Sequence, residues 1–185
     1  MDKTTEKIFS KSDMINMCKE KNENIQTIST IRVPDGYTKI ADEIIYFKYF
    51  SPGRNDVDLF PWELTRVELP ESVTEIGGFS FSCNTLTHIN FPLGLNHIGF
   101  GAFQCANIEK IDLSEHTGLK KIPESFAAHS ALTEVRLPKS VTQIDDGAFY
   151  DCSYLTTVFL HVGVTSIDED VFSECHDELC IHIQL

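Results

Sequence analysis

The stretch Leu64–Cys83 decides the fold of this chain, and it reads Leu-Thr-Arg-Val-Glu-Leu-Pro-Glu-Ser-Val-Thr-Glu-Ile-Gly-Gly-Phe-Ser-Phe-Ser-Cys. Related stretches start at Leu86, Ile108, Leu132 and Leu155, so the steps between starts are 22, 22, 24 and 23 residues. Branched apolar residues recur at the same offsets in every unit. A period of this length, sustained over five units, predicts a solenoid in which each unit forms one coil.

Each unit begins with a short extended piece. In the first unit Val67 and Leu69 alternate with Arg66 and Glu68, which is the pattern of a strand with one face turned inward. Pro70 then ends the strand, because proline has no N–H to donate to the next pair. We therefore expect a sheet that receives one strand from each coil.

A second extended piece, with Val73 and Ile76 directed to the interior, follows a turn. A bend after it brings one phenylalanine per unit toward the core. No unit can bury these residues alone, so stability has to come from contacts between neighbouring coils. Stacking of the units predicts one column of phenylalanines, formed by Phe81, Phe103, Phe126, Phe149 and Phe172.

These features predict an α/β-type repeat solenoid of the leucine-rich repeat class, with mostly short parallel β-strands and an irregular or 3-10 convex side. A short helix from about Ser12 to Lys21, with its N-cap at Ser12, is expected to cover the first coil; the alternative is a helix presented to a partner. The predicted organisation is a polar N-terminal segment (1–27) and a solenoid (28–185). The solenoid comprises a degenerate repeat (28–50), an insertion (51–63), repeats at 64–85, 86–107, 108–131, 132–154 and 155–178, and a terminal strand (179–185).

Two departures from the repeat are candidate functional features, since insertions on solenoids are common sites of function. The insertion contains the single tryptophan, Trp62, close to Phe60. This pair either folds back onto the flank of the core or is exposed for docking. The turn of the third repeat, 113–119, is two residues longer than in its neighbours, and we expect it to bulge outward with Glu115 and His116.

The outward positions of the first strands form the candidate binding surface on the concave face. Neighbouring strands lie about 4.8 Å apart, so equivalent residues of successive repeats stand side by side in two columns. Lys110 should face Glu134, and Asp112 should face Arg136. These charges either satisfy each other on a solvated sheet or form a mixed polar patch for a protein partner, with Phe159 as an apolar anchor. The candidate residues are Arg66, His88, Lys110, Glu134 and Thr157 in one column and Glu68, Asn90, Asp112, Arg136 and Phe159 in the other.

Four of the six cysteines follow the phenylalanine of their repeat by two or three residues, and His129 takes that place in the third repeat. Because free cysteine usually behaves as a small buried hydrophobe, we expect a reduced, buried cysteine column. Disulfides are the alternative. The four residues are Cys83, Cys105, Cys152 and Cys175.

The sequence contains no Gly-rich phosphate loop, His-Glu-x-x-His motif or nucleophile elbow, so we expect no catalytic residues and no cofactor. Most of the histidines and cysteines occupy recurring positions of the repeat, so a structural role explains their presence without a catalytic one. One dense cluster of metal-ligand types occurs near the end, but Cys175 belongs to the cysteine column and no second Cys-x2-Cys accompanies it, so we expect no metal. A metal-binding or enzymatic role there is a remote alternative. The cluster comprises Cys175, His176, Asp177, Glu178, Cys180 and His182.

The formal net charge is -13, from 28 acidic and 15 basic residues. Such a chain repels phosphate backbones and anionic lipid, which argues against nucleic-acid and membrane-surface binding. All the lysines and arginines lie at or before Lys139, and nine acidic residues follow it. This acidic end is either a solvated surface or a patch for a basic partner or cation, and no EF-hand-like spacing supports a cation site.

The terminal stretch Leu179–Leu185 alternates strictly between apolar and other residues and predicts one more strand. Its free edge would be able to pair with another chain. We therefore expect self-association through residues 179–185.

The N-terminal residues have no apolar core of a secretory signal, and no run of the sequence approaches the 18 apolar residues of a transmembrane helix. As written, the chain is expected to be cytoplasmic. Export to the cell surface without a visible signal peptide is the alternative.

The phrase Leu-Thr-x-Val/Ile-x-Leu-Pro-x-Ser-Val-Thr-x-Ile, followed by Ala-Phe and Cys, resembles the BspA-like (Treponema pallidum-type) leucine-rich repeat family. The stretch Leu132–Cys152 matches the family unit almost throughout. The resemblance implies a curved solenoid and a role in protein–protein interaction or adhesion, often at cell surfaces. We therefore expect a non-enzymatic protein-binding scaffold whose partner the sequence does not name, with a surface or host-directed adhesin as the alternative.

Overall fold

In the computed structural model, each repeat contributes two short strands that pair in parallel with strands of neighbouring repeats. The structure describes residues 6–45, 61 and 63–185. Most of the predicted insertion (51–63), including Phe60 and Trp62, lies outside the described residues, so its two alternatives stay open.

The first strands of the coils form one ladder, which we call the front ladder, and the second strands form the rear ladder. One α-helix, α1 (Lys11–Glu20), is present in the described part of the chain. The front ladder contains β2 (Thr30–Arg32), β4 (Arg66–Glu68), β6 (His88–Ile89), β8 (Lys110–Asp112), β10 (Glu134–Arg136), β12 (Thr157–His161) and β14 (Cys180–Gln184). The rear ladder contains β1 (Ile8–Phe9), β3 (Lys39–Ile40), β5 (Glu75–Ile76), β7 (His97–Ile98), β9 (Lys121–Ile122), β11 (Gln143–Ile144) and β13 (Ser166–Ile167).

The predicted solenoid of short parallel strands is confirmed. The segments that return from one ladder to the other are turns and bends, and none of those described is a 3-10 helix. The inward positions are buried as predicted: Val67, Val73 and Ile76 are at most 1% exposed. Equivalent residues of the other coils continue this core.

The phenylalanine column is also confirmed. Ring centroids of successive members lie 5.8, 5.5, 5.8 and 5.6 Å apart from Phe81 to Phe172. Phe126 follows the isoleucine of its repeat by four residues, whereas Phe103 and Phe149 follow theirs by five. Its ring meets both neighbours edge-on, at interplanar angles of 76° and 80°.

The helix α1 covers the first coil with Met14, Met17 and Cys18, which are buried. Its N-cap is Ser10, so the predicted N-cap at Ser12 is wrong. The Ser10 Oγ accepts a hydrogen bond from the Asp13 N–H, and Asp13 in turn accepts from the Ser10 N–H at 2.8 Å, which completes a capping box. Serine two positions later could not form this reciprocal pair with Asp13.

A strand that the sequence did not predict precedes the helix. β1 pairs with β3 in parallel and continues the rear ladder by one rung. Phe9 is 2% exposed and meets the Tyr37 ring edge-on at 5.2 Å. The segment before the helix therefore belongs to the solenoid rather than to a separate polar arm.

Both ladders divide between the second and third repeats. β6 ends one front sheet and β8 begins the next, and β7 and β9 are the corresponding ends in the rear ladder. Backbone hydrogen bonds on the phenylalanine side still cross this junction, including Phe103 N–H to Phe126 O at 2.9 Å. The junction is therefore held by the core and by one side of the coil.

Asn90 and Phe91 lie where the front ladder divides. Elsewhere the N–H that follows a front strand donates to a backbone carbonyl of the next coil, as Leu113 does to Arg136. At Leu69 the N–H donates instead to the Asn90 side-chain Oδ1 at 2.7 Å, and the Asn90 amide donates back to the Leu69 carbonyl at 2.8 Å. A side chain thus replaces a backbone pair at this point.

His116 also lies at the junction, and its predicted outward position is wrong. The side chain is buried, at 4% exposure, while Glu115 is exposed as expected. The His116 Nε2 lies 3.1 Å from the Pro92 carbonyl oxygen of the preceding repeat, and Nδ1 lies 3.2 Å from the Leu113 oxygen. The longer turn therefore places its histidine inward, where the ring bridges the two coils.

The predicted single cysteine column is wrong, because the four cysteines occupy two adjacent positions of the coil. Cys105 shares its position with His129 and is half-buried, with a left-handed φ of 61° at Cys105 and 59° at His129. Cys152 and Cys175 lie one position later, where the third repeat has buried Ser130. All six cysteines of the chain are free thiols.

Removal of a central ring of the column tests whether neighbouring coils stabilise each other. We expect Phe149→Ala to lower the free energy of unfolding by about 3–5 kcal/mol, since it opens a cavity between two rings. Urea titration followed by circular dichroism measures this change. Tyr154→Ala removes a ring that is 64% exposed and should change the free energy by less than about 0.5 kcal/mol. Equal small effects of both variants would contradict the column.

Candidate interaction surface

The strand register places the predicted candidates side by side on the outward face of the front ladder. Glu134 stands between Lys110 and Thr157, and Arg136 stands between Asp112 and Phe159. Because the ladder divides after β6, strand pairing does not join the ten residues into one surface. They form a first patch of Arg66, Glu68, His88 and Asn90, and a second patch of Lys110, Asp112, Glu134, Arg136, Thr157 and Phe159.

The polar groups of the first patch are mostly engaged within the chain. Glu68 accepts a hydrogen bond from the Arg32 Nε at 2.6 Å, and both side chains are exposed. The His88 Nδ1 lies 2.7 Å from the Thr87 hydroxyl, and both ends of the Asn90 amide are bound to Leu69. This patch offers few free hydrogen-bonding groups to a partner.

Glu134 is the electrostatic centre of the second patch. Its carboxylate accepts from the Lys110 Nζ at 3.2 Å across the strands and from the Arg136 Nε at 2.8 Å along its own strand. The hydrogen bond from Lys110, assisted by that from Arg136, lowers the pKa of Glu134. The predicted pairing of Lys110 with Glu134 is therefore confirmed.

Asp112 stands opposite Arg136 as predicted, but the two side chains form no direct salt bridge. Asp112 Oδ1 instead accepts a hydrogen bond from the Ser114 N–H at 2.9 Å, two residues along its own chain. Burial acts to raise the pKa of Asp112, but the hydrogen bonds from Ser114, together with the positive charge of Arg136, outweigh it and the pKa is lowered. Arg136 is left to Glu134 and to the neighbouring aromatic ring.

Phe159 is half-buried and stands between two partners on the outward face. The Arg136 Cζ lies 3.9 Å from the Phe159 ring centroid, and the His182 ring stacks on Phe159 at 4.8 Å and 18°. The sequence interpretation did not include His182 in this surface. The register of the terminal strand was the signal that could have found it, because β14 pairs His182 with Phe159.

The cluster of metal-ligand types near the end of the chain does not converge. The Cys175 thiol donates inward to the Phe149 carbonyl at 3.1 Å, the His176 Nδ1 accepts from the Glu178 N–H, and His182 lies on Phe159. Cys180 is exposed. In the described ranges, no group of three or more His, Cys, Asp or Glu side chains is arranged to hold a metal ion.

A shallow trough of about 240 Å³ lies beside the phenylalanine column and was not predicted. The His129 Nδ1 is 2.9 Å from the Asp151 Oδ2 at its edge, and the exposed Tyr154 lines it. The Cys105 thiol also lines it, but burial raises the pKa of Cys105 and keeps the thiol protonated. The trough therefore holds a histidine–carboxylate pair without an activated thiol nucleophile.

The last strand of the front ladder is exposed along its length. β14 pairs with β12 over five residues, and no other strand in the described part of the chain pairs with it. Ile181, Ile183 and Leu185 are 42%, 69% and 95% exposed. Inward positions that other coils bury are thus uncovered on this last coil.

A search of the described helices found none long and apolar enough to cross a membrane.

The stacked coils, with apolar inward and polar outward positions on a front ladder, define a leucine-rich repeat solenoid. The family model described as "BspA type Leucine rich repeat region" matches residues 61–178 in six copies. The chain belongs to this family. No curated protein matches it.

Solved leucine-rich repeat proteins share the fold. A protein from Bacteroides ovatus is 20% identical with a TM-score of 0.62, over 82% of this chain and 42% of that one. A protein from Eubacterium ventriosum is 21% identical with a TM-score of 0.58, over 78% and 33%. The T. pallidum leucine-rich repeat protein is 24% identical with a TM-score of 0.58, over 83% and 73%. The chain thus spans less than half of the first two proteins, and the likeness concerns the fold.

The lowered pKa of Glu134 predicts a pH-dependent contribution to stability. Because its folded-state pKa lies below the ordinary value of 4.5, the stabilisation is fully present above pH 4.5 and is lost as the pH falls through the folded-state pKa. We expect Glu134→Gln to be less stable than the wild type at pH 7, and the difference to vanish at about pH 2. Thermal melts at both values measure this.

Glu71→Gln is the matched control, since Glu71 is exposed on a turn away from the patch. Its melting temperature should follow that of the wild type at both pH values. A constant difference between Glu134→Gln and the wild type across the pH range would contradict the role of the carboxylate.

Proposed function

We propose that this chain is a non-enzymatic protein-binding scaffold, and that the second patch is the surface that contacts the partner. The observation that supports the proposal is the half-exposed Phe159, held between Arg136 and His182 on a rigid strand face. Aromatic residues and arginine are enriched among the residues that dominate interface energies. The family of the chain is a class of repeat scaffolds, which agrees with this role.

The packing of Phe159 prepares it for binding at low entropic cost. Contact with Arg136 on one side and His182 on the other restricts the ring before a partner arrives, so little further freedom is lost on association. Lys110 is 67% exposed and leaves donor capacity at the rim. The result is an apolar centre with a charged rim, which is the usual anatomy of a protein interface.

The described site geometry favours binding over catalysis. The Cys105 thiol beside the histidine–carboxylate pair of the trough is not activated, and the patch residues engage each other rather than an open reaction centre. We therefore assign no catalytic residues.

A double variant tests the second patch. We expect Phe159→Ala with Arg136→Ala to weaken binding to the partner by about tenfold or more, because it removes the anchor and the guanidinium that packs on it. The wild type and the variant serve as baits on intact host cells and on lysate, and the captured partner is then titrated against both by calorimetry. Capture on intact cells would assign the partner to the cell surface, as the adhesin alternative requires.

The matched control is Lys121→Ala with Gln143→Ala, which removes exposed side chains from the rear ladder. This variant should bind as the wild type does. Equal affinity of all three proteins would exclude the second patch as the binding surface.

We also propose self-association through the exposed edge of β14. The free edge carries alternating Ile181 and Ile183 side chains, and strand addition would pair its backbone and cover them. Asp177 and Glu178 precede the strand and are exposed, so two copies repel each other at low ionic strength. Association should therefore increase with salt.

Sedimentation velocity of the wild type at low and high salt tests this proposal. We expect Ile183→Lys to sediment as a monomer where the wild type forms a dimer, because the new charge would be buried in the paired edge. Leu93→Lys is the matched control, since Leu93 is 62% exposed on a turn of another coil. A monomeric wild type at all salt concentrations would disprove the association.

A further inference from the structure

Cys152 and Cys175 occupy the same position in the last two coils. Ile144 and Ile167 pair between β11 and β13, and each cysteine follows its isoleucine by the same number of residues. The backbone holds the two coils together at this point, because the Asp151 N–H donates to the Ser173 carbonyl at 2.9 Å. The two thiols are therefore stacked by the repeat itself.

The two thiols make equivalent contacts in successive coils. The Cys152 Sγ donates to the Ala127 carbonyl at 3.2 Å, and the Cys175 Sγ donates to the Phe149 carbonyl at 3.1 Å, each in the coil before its own. The side chains also influence each other, since their interaction raises the pKa of Cys152 and lowers that of Cys175. The backbone hydrogen bond from Asp151 to Ser173 lies beside the two cysteines, and backbones paired in parallel lie about 4.8 Å apart, within the range of Cα separations that a disulfide spans.

The other cysteine pair at equivalent positions lacks this interaction. Cys83 and Cys105 also follow their isoleucines by equal steps in adjacent coils. The Cys83 thiol, however, lies 3.0 Å from the Thr85 hydroxyl, and Cys105 has a left-handed backbone. This pair therefore provides a control within the same chain.

We propose that Cys152 and Cys175 form a reversible disulfide when the protein meets a small-molecule disulfide, and that this bond clamps the last coil to the one before it. The inference concerns a redox site and is independent of the proposed binding function. It extends to no other cysteine of the chain.

The reaction is a thiol–disulfide exchange in two steps. The Cys175 thiolate attacks one sulfur of the small disulfide, its S–S bond breaks, and one small thiolate leaves. The Cys152 sulfur then attacks the Cys175 sulfur of the mixed disulfide, and the second small thiol leaves. The two cysteine protons end on the two released thiols, and two electrons pass from the cysteines to the small disulfide.

Exposure and charge assign the order of these steps. Cys175 is half-buried and lies in the least covered coil, whereas Cys152 is fully buried. The hydrogen bond between the thiols lowers the pKa of Cys175 and raises that of Cys152, because it stabilises the Cys175 thiolate. Cys175 is therefore the attacking residue and Cys152 the resolving one.

The clamp acts on a repeat whose core is only partly covered. Ile167 of this repeat is 50% exposed, at a position that the earlier repeats bury. A disulfide from this repeat to the one before it restricts the chain when the repeat unfolds locally or globally, and this restriction makes unfolding less favourable. Oxidation should therefore raise the melting temperature of the full chain.

The test uses the full chain with Cys180→Ser, which removes the exposed thiol and prevents links between copies. After incubation with oxidised glutathione, we expect the loss of two titratable thiols, one peptide pair joined through 152 and 175, and a melting temperature raised by about 5–10 °C. Dithiothreitol should reverse all three changes.

Further variants separate the proposal from its alternatives. Cys175→Ser and the milder Cys152→Ala should each abolish the rise in melting temperature, whereas Cys105→Ser should retain it. A glutathione adduct on Cys175 that Cys152 does not resolve would overturn the proposal, as would a joined peptide pair from 83 and 105 or no loss of thiols.

Discussion

The contact between neighbouring coils is the interaction on which the rest of this structure depends. No coil encloses its own apolar residues, so each central phenylalanine ring packs against the rings of the coils above and below it. Short parallel strands pair the same coils on two sides. Because ring spacing and strand spacing are similar, core and backbone impose the same register on the chain.

The register set by the core also sets the surface. Once Val135 is turned inward and paired with Ile111 and Val158, Glu134 and Arg136 have to face outward beside their equivalents. The outward residues are not part of the core, and they vary between repeats. The candidate interaction surface is therefore a product of the same stacking that stabilises the fold.

The regular stacking is interrupted at two places, and both contain side-chain features that the regular coils lack. Asn90 of the second repeat binds the backbone of Leu69 in the first, where other coils pair backbone groups, and His116 of the third repeat contacts the Pro92 carbonyl of the second. In the terminal strand, apolar positions such as Ile183 remain exposed, and in the repeat before it Cys175 occupies the same position as Cys152 of the neighbouring repeat. Because each coil of a solenoid contacts only its neighbours, local unfolding occurs preferentially at such places.

The sequence by itself determined the period, the inward positions, the phenylalanine column and the strand register, because each follows from repeated spacing alone. It did not determine that Arg136 hydrogen-bonds to Glu134 and not to Asp112, that the His116 side chain points inward, or that Ser10 caps the helix. Nor did it separate Cys105 from Cys152 by one position of the coil. Only the tertiary structure decided these features, since a hydrogen bond depends on which donors and acceptors lie within about 3 Å, and spacing along a chain does not fix that distance.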